Sequence, residues 1–179
     1  MIKFNIDQYP VIYGNNILLR PIQYKDTDLI VKWRNNLDVR KNFIFREPFT
    51  KELHENWMKT KVNTGEVIQY IIEDNFRKTA VGSVYFRDLD YTNESAEFGI
   101  FIGESEYRGK GIGYESTKLF VNWGGEHLKL HRIFLRLLST NLAAYKIYEK
   151  AGFKQEGYFH DMVKIENIFY DIIFMAKFF

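Results

Sequence analysis

Glycines at 109, 111 and 113 fall where a strand-like pattern ends and a helical pattern begins, and no other feature of the chain narrows its fold as much. The segment 98–116 reads FGIFIGESEYRGKGIGYES, with apolar residues alternating up to Ile102 and helical spacing resuming after Gly113. A strand, a glycine loop and a helix in that order leave several backbone N–H groups unpaired at the helix start, with Arg108 and Lys110 beside them. That arrangement suits a diphosphate, because glycine lets the backbone approach phosphate oxygens and tolerates positive φ. Taken alone, the glycines also read as a structural turn. Two familiar nucleotide loops are excluded: no Lys-Ser/Thr pair follows a four-residue gap, and no Gly-x-Gly-x-x-Gly follows the first strand of a βαβ unit.

The elements around this loop set the fold class. Residues 1–15, mixed in character and ending at a Gly14-Asn15-Asn16 turn signal, read as an N-terminal arm or extra strand ahead of a domain spanning 16–179. Residues 17–22 form a strand that stops near Pro21. Asp26 or Thr27 caps a helix carrying Leu29, Ile30, Trp33 and Leu37, and Thr50 precedes a second through Leu53, Trp57, Met58 and Val62. The period then drops to two: 67–73, 80–86 and 95–102 are strands joined by polar turns, hence an antiparallel meander. A helix through Ile112, Ser116, Leu119, Phe120 and Trp123, a strand 132–138, a helix 141–150 ended by Gly152 and a strand 169–176 complete one α+β domain.

Composition agrees with a folded globule of one domain, since 179 residues with 46% hydrophobic and 17% aromatic content can bury a core. Lys plus Arg (25) nearly balances Asp plus Glu (23), with the signs interleaved, so no nucleic-acid partner is expected. No run of about twenty apolar residues and no signal-like start occurs, which makes a soluble cytoplasmic protein without membrane contact the expectation. The sequence holds no Cys, removing thiolate ligands and a cysteine nucleophile, and the histidines at 54, 127, 131 and 160 do not cluster; no metal site is expected.

Arg108-x-x-Gly111-x-Gly113 resembles the acyl-CoA pyrophosphate loop of the GNAT N-acetyltransferase superfamily, and NLAAYKIYEKAGFKQEG, from Asn141 to Gly157, resembles its second signature. The segments ILLRPIQYKDTDLI and AVGSVYF resemble the branch that includes the ribosomal-protein N-terminal acetyltransferases. The resemblance implies a mixed, mostly antiparallel central sheet flanked by helices and splayed at the strand before the loop. It implies acetyl-CoA as co-substrate, with no metal. Its pantetheine arm would lie along the backbone of Gly99, Ile100, Phe101 and Ile102, its diphosphate against Arg108, Gly109, Lys110, Gly111, Ile112 and Gly113, and Asn141 would contact its amide. Tyr148 would protonate the departing thiolate, and Glu97 would accept a proton from the amine through water. The structural alternatives are packing for Tyr148, helix capping for Asn141 and a solvated strand carboxylate for Glu97.

The acceptor is read from VKWRNNLDVRKNF, 31–43, and from His54 in HENW. A Trp33-Arg34-Asn35 triplet resembles enzymes that acetylate an amino group on a nucleotide-linked sugar, including the pseudaminic-acid pathway branch; Trp33 as core and Arg34 and Asn35 as solvated residues is the alternative. The expectation is a small-molecule amine, a nucleotide sugar, bound by Trp33, Arg34, Asn35 and His54 in a monomer or homodimer. Acetylation of a protein α-amine stands second, and polyamines third for want of an obvious acidic groove. A CoA-binding module without turnover is the alternative from another class, and the presence of Tyr148 and Glu97 argues against it.

Overall fold

The computed structural model describes residues 9–179. Eight strands form one sheet in the order β1-β2-β3-β4-β5-β6-β8-β7. They are β1 (Ile12–Tyr13), β2 (Ile17–Pro21), β3 (Ile68–Asp74), β4 (Ala80–Asp90), β5 (Ser95–Ile102), β6 (Arg132–Leu138), β7 (Lys154–Ile165) and β8 (Ile168–Phe178). All neighbours pair antiparallel except β5 and β6. Of the 1–15 arm, Ile12 and Tyr13 do pair with β2, opposite Leu19 and Leu18, while residues 1–8 lie outside the described residues.

The parallel junction places the site. β5 and β6 share register only at Ser95–Arg132, Ala96–Ile133 and Glu97–Phe134. Beyond Glu97 the two strands part, so residues 98–102 of β5 keep a partner on β4 alone and leave their other backbone edge open. A crossover helix, α4 (Ile112–His127), joins these parallel strands.

Alternation along the strands sorts side chains onto two cores. Tyr70, Val84, Phe86, Ala96 and Phe98 pack with Phe120 and Trp123 of α4, where Phe86 stacks on Phe120 at 4.4 Å. The Gly124 position permits this approach, because a Cβ there would lie 2.7 Å from the Phe86 ring. On the opposite face Ile71 and Phe101 pack with Ile30, Trp33, Val39 and Met58 from α1 (Thr27–Asn35), α2 (Leu37–Arg40), α3 (Lys51–Trp57) and the π-helical turn Met58–Val62 that extends it. Helix α5 (Leu142–Lys150) lies against α4.

Three expectations need correction. The first helix does not run to Leu37: Asn36 takes an extended conformation and caps α2 by accepting from Asp38 N. Asp26 puts no side-chain cap on α1, because its carboxylate is taken by the Arg20 guanidinium at 2.7 and 2.8 Å and by Gln23 N–H at 2.8 Å, which caps the 3-10 turn Tyr24–Asp26 instead. Strand β7, absent from the sequence reading, is mostly solvent-exposed along its length and so carries no clean two-residue alternation.

Candidate active site

One cleft of ≈ 890 Å³ connects the two faces of the sheet through the gap between β5 and β6. At one end stand Arg108, Gly109, Gly111, Gly113 and Tyr114, along its floor Gly99, Ile100, Phe101 and Ile102, and on its α5 side Asn141, Ala144, Ile147 and Tyr148. At the other end are Arg34, Phe43, Phe49, His54, Trp57, Gln69, Tyr85, Arg87, Glu97 and Arg136.

The glycine loop has the backbone that a diphosphate requires. Gly109 and Gly111 adopt φ of +73° and +81°, and a Cβ at either position would meet nothing within 4 Å, so the space above them is open. Gly111 is the N-cap of α4 and offers no side-chain acceptor, leaving the first N–H groups of that helix available to an anion. Arg108 lines the cleft but folds back, donating from Nε to Ile102 O and from Nη2 to Gly103 O, both at 3.2 Å. The Lys110 side chain turns to Tyr107, with Nζ 5.7 Å over its ring, and the Ile112 side chain is buried in the core under α4, so of Ile112 only the backbone N–H at the helix start is offered to an anion.

Asn141 caps α5 by accepting from Ala144 N at 3.2 Å and also lines the cleft. About two turns further on, the Tyr148 ring packs edge-on to Phe98 and against Phe153. Burial pushes its phenol pKa up, with Tyr85 adding to the rise, so the hydroxyl keeps its proton at neutral pH. A protonated phenol is what a thiolate leaving group needs nearby.

Glu97 is 4% exposed and accepts hydrogen bonds from Arg87 Nε (2.9 Å), Arg136 Nε (3.0 Å) and Arg136 Nη2 (2.9 Å). Burial alone would raise its pKa, but the two guanidinium groups hold it below the usual carboxylate range. This placement counts against the proton-acceptor role expected of Glu97: its lone pairs are engaged and its basicity is lowered.

The acceptor triplet is dispersed. Trp33, 1% exposed, lies in the core; its indole N–H donates to Glu104 at 2.7 Å and its ring covers Gly103, where a Cβ would come within 2.2 Å. It is therefore not available to stack on a ligand. Asn35 is a clasp: its amide donates to Val31 O and Phe49 O and accepts from Phe49 N. Arg34 alone of the three lines the cleft, its guanidinium 4.4 and 4.6 Å from the Phe43 and Phe49 ring centres. His54 lines it as well, from α3, buried and fixed through Nδ1 to Thr27 Oγ1 at 2.9 Å while Nε2 has no partner among the described residues. Burial pushes its pKa down to about 4, so the imidazole is neutral.

Tyr85, Arg87 and Arg136 escaped the sequence reading. Gly99 carried a signal for the first: it pairs with Tyr85, and a Cβ there would lie 2.2 Å from the tyrosine ring. A glycine inside a strand marks a close approach by something else. The arginines come from strands 10 and 39 residues away from Glu97, and nothing local announces them. No helix is long and apolar enough to cross a membrane, and no metal-binding cluster of His, Asp or Glu occurs among the described residues.

The chain is similar to proteins that perform chemistry of this kind. Residues 16–154 match the model of an acetyltransferase (GNAT) domain. Over 161 residues the chain is 28% identical to a spermidine N(1)-acetyltransferase of Vibrio cholerae, covering 89% of this chain and 91% of that protein. An uncharacterized protein of Methanocaldococcus jannaschii is 34% identical over 143 residues, which make up 79% of this chain but 28% of the archaeal protein. Among solved structures, the Vibrio cholerae spermidine N-acetyltransferase in complex with CoA and spermine superposes with a TM-score of 0.85 at 25% identity, covering 92% of this chain and 96% of that one. With a sheet splayed at β5, a glycine loop capping α4 and a protonated tyrosine in the cleft between them, the chain belongs to the GNAT superfamily and is an acetyl-CoA-dependent N-acetyltransferase.

Proposed function

We propose that the enzyme acetylates the amine of a nucleotide-linked amino sugar by direct transfer from acetyl-CoA in a ternary complex. The observation that carries this reading is the charge of the cleft. Its described lining includes four arginines (34, 87, 108 and 136) and two carboxylates, Asp38 and Glu97. Both carboxylates are already paired, Glu97 with Arg87 and Arg136, and Asp38 with Lys41 at 2.9 Å and, more loosely, with Arg108 at 3.8 Å. A polycation entering this chamber meets an excess of guanidinium groups over carboxylates, and two like unit charges about 4 Å apart repel by about 4 kcal/mol at an effective dielectric of about 20. An acceptor bearing phosphate meets attraction from the same groups.

In this reading the thioester lies along the open edge of β5, and Tyr148 hands its proton to the departing sulfur. Without Cys in the sequence, no acyl-cysteine intermediate forms. With Glu97 engaged, the amine loses its proton to water, and the surrounding positive charge favours the neutral, nucleophilic amine. Arg34 faces the acceptor as a cation, with the neutral imidazole of His54 buried in the wall behind it.

A second reading, acetylation of a polyamine, is favoured by the relatives, which include spermidine N(1)-acetyltransferases of Vibrio cholerae and of two strains of Escherichia coli. An acetyl-CoA assay against nucleotide amino sugars, spermidine and N-terminal peptides decides between them. We expect the highest kcat/KM with a nucleotide amino sugar; spermidine as the best acceptor overturns the reading in favour of the polyamine, and a peptide does so in favour of a protein α-amine.

A further inference from the structure

Arg87, Glu97 and Arg136 come from three adjacent strands, β4, β5 and β6, and meet where β5 and β6 begin to part. One buried carboxylate is shared by two guanidinium groups, a net charge of +1 for the three, with only the exposed Asp88 carboxylate, 3.9 Å from Arg87 Nε, to offset it from the surface. The arginines are not buried with it. Their side chains are 35% and 32% exposed, both line the cleft, and Nη1 of each has no hydrogen-bond partner among the described residues.

An ion pair that only supported the fold would match one cation to one carboxylate and close both off from the cleft. Here the carboxylate serves as a buried anchor that fixes the orientation of two forked donors and spends only part of their capacity. Two rigid guanidinium groups with free N–H bonds and surplus positive charge match the geometry of a phosphate oxygen pair. The location fits an acceptor group: Glu97 is two residues before Gly99 on the same face of β5, about 7 Å along the strand. An anion held by its partners therefore sits beyond the reacting amine, away from the glycine loop.

We infer that Arg87 and Arg136, locked by Glu97, form an anion subsite that binds the phosphate of the acceptor while its amine faces the thioester. This assignment rests on the nucleotide-sugar reading and adds to it the residues that select the acceptor. Arg87 and Arg136 are binding residues; Glu97 is a positioning residue that acts through them.

Calorimetry with uridine 5′-diphosphate on CoA-saturated protein tests the subsite, because CoA already fills the glycine loop and residual binding belongs to the acceptor end. The wild type should bind the nucleotide, and Arg87→Met and Arg136→Met should each weaken it by about 10- to 200-fold, as for the loss of a charge-assisted contact. Arg136→Lys keeps the charge next to Glu97 and so preserves the fold, but loses the fork; it should also bind more weakly. In kinetics these variants should raise KM for the nucleotide amino sugar, leave kcat within about threefold and leave KM for acetyl-CoA unchanged. Absence of nucleotide binding by the CoA-saturated wild type, or equal affinity in folded Arg87→Met and Arg136→Lys proteins, overturns the subsite. Turnover of the acceptor panel judges the nucleotide-sugar reading separately, so failure of the subsite is distinguishable from failure of that reading.

Discussion

Lowering the pH should destabilise this enzyme in part through His54, and the size of that contribution follows from its surroundings. The imidazole is 1% exposed, held by Thr27, and its pKa is pushed down to about 4 by burial, against the pull of Asp26 and with Arg34 adding to the fall. In the unfolded chain the same group titrates near about 6.5. The unfolded state thus binds the extra proton first as pH falls, so stability is complete above about 6.5 and is lost between there and about 4. With those two values the loss between pH 7 and pH 5 is about 2 kcal/mol, approaching about 3 kcal/mol below pH 4. Paired carboxylates such as Glu97 also weaken the fold in acid, so the measurement must isolate His54. Urea unfolding of the wild type and of His54→Gln at both pH values does this: the variant is less stable at pH 7, and the gap between the two proteins should shrink by about 2 kcal/mol at pH 5. A gap that stays constant with pH refutes the claim that a neutral, desolvated His54 is what the acid acts upon.

Gly111→Val places a branched side chain at a φ of +81° in the open space above the loop, and acetyl-CoA affinity measured by calorimetry should fall steeply while a folded protein remains. Tyr148→Phe should lower kcat by about 10²- to 10⁴-fold with acetyl-CoA binding nearly unchanged; loss of binding with normal turnover would assign the ring to packing. Glu97→Ala strands two guanidinium groups and should cost about 3 kcal/mol in a denaturation experiment, the low end of the range for a broken buried pair because both arginines are partly exposed. Its effect on the pH dependence of kcat should be small, and a shifted acidic limb would restore Glu97 as the base. Gly103→Ala drives a methyl into the Trp33 ring and should lower the melting temperature by several degrees, about 1–3 kcal/mol of overpacking.

Legibility followed how local each signal was. Strands β5 and β6 match the expected bounds of 95–102 and 132–138 because apolar runs there end at polar turns, and Thr50 and Asn141 cap helices through their own side chains. Strand β7 left no readable pattern, since an exposed edge strand has no buried face to enforce alternation. The break at Asn36, where the side chain caps α2, and the π-helical turn at Met58–Val62 both interrupt runs whose apolar spacing continues across them, so a single helical period does not mark them. Within the site, the glycine loop and Tyr148 are contiguous motifs and were visible as such. Trp33 was misplaced because an aromatic on an amphipathic helix looks the same whether it faces a ligand or Gly103. The Arg87–Glu97–Arg136 cluster exists only once three strands lie side by side.

The contact of Trp33 with Gly103 ties two parts of the enzyme into a single lever. Helix α1 carries Arg34 at the acceptor end; Gly103 stands at the root of the loop that holds the donor, and its N–H is bonded to Val81 O in the sheet. Glu104 doubles the tie by accepting from both the Trp33 indole and Lys32 Nζ at 2.7 Å. Any outward movement of α1 is therefore opposed by its packing and hydrogen bonds to the chain that leads into the glycine loop, so the scaffold itself sets the distance between Arg34 and that loop.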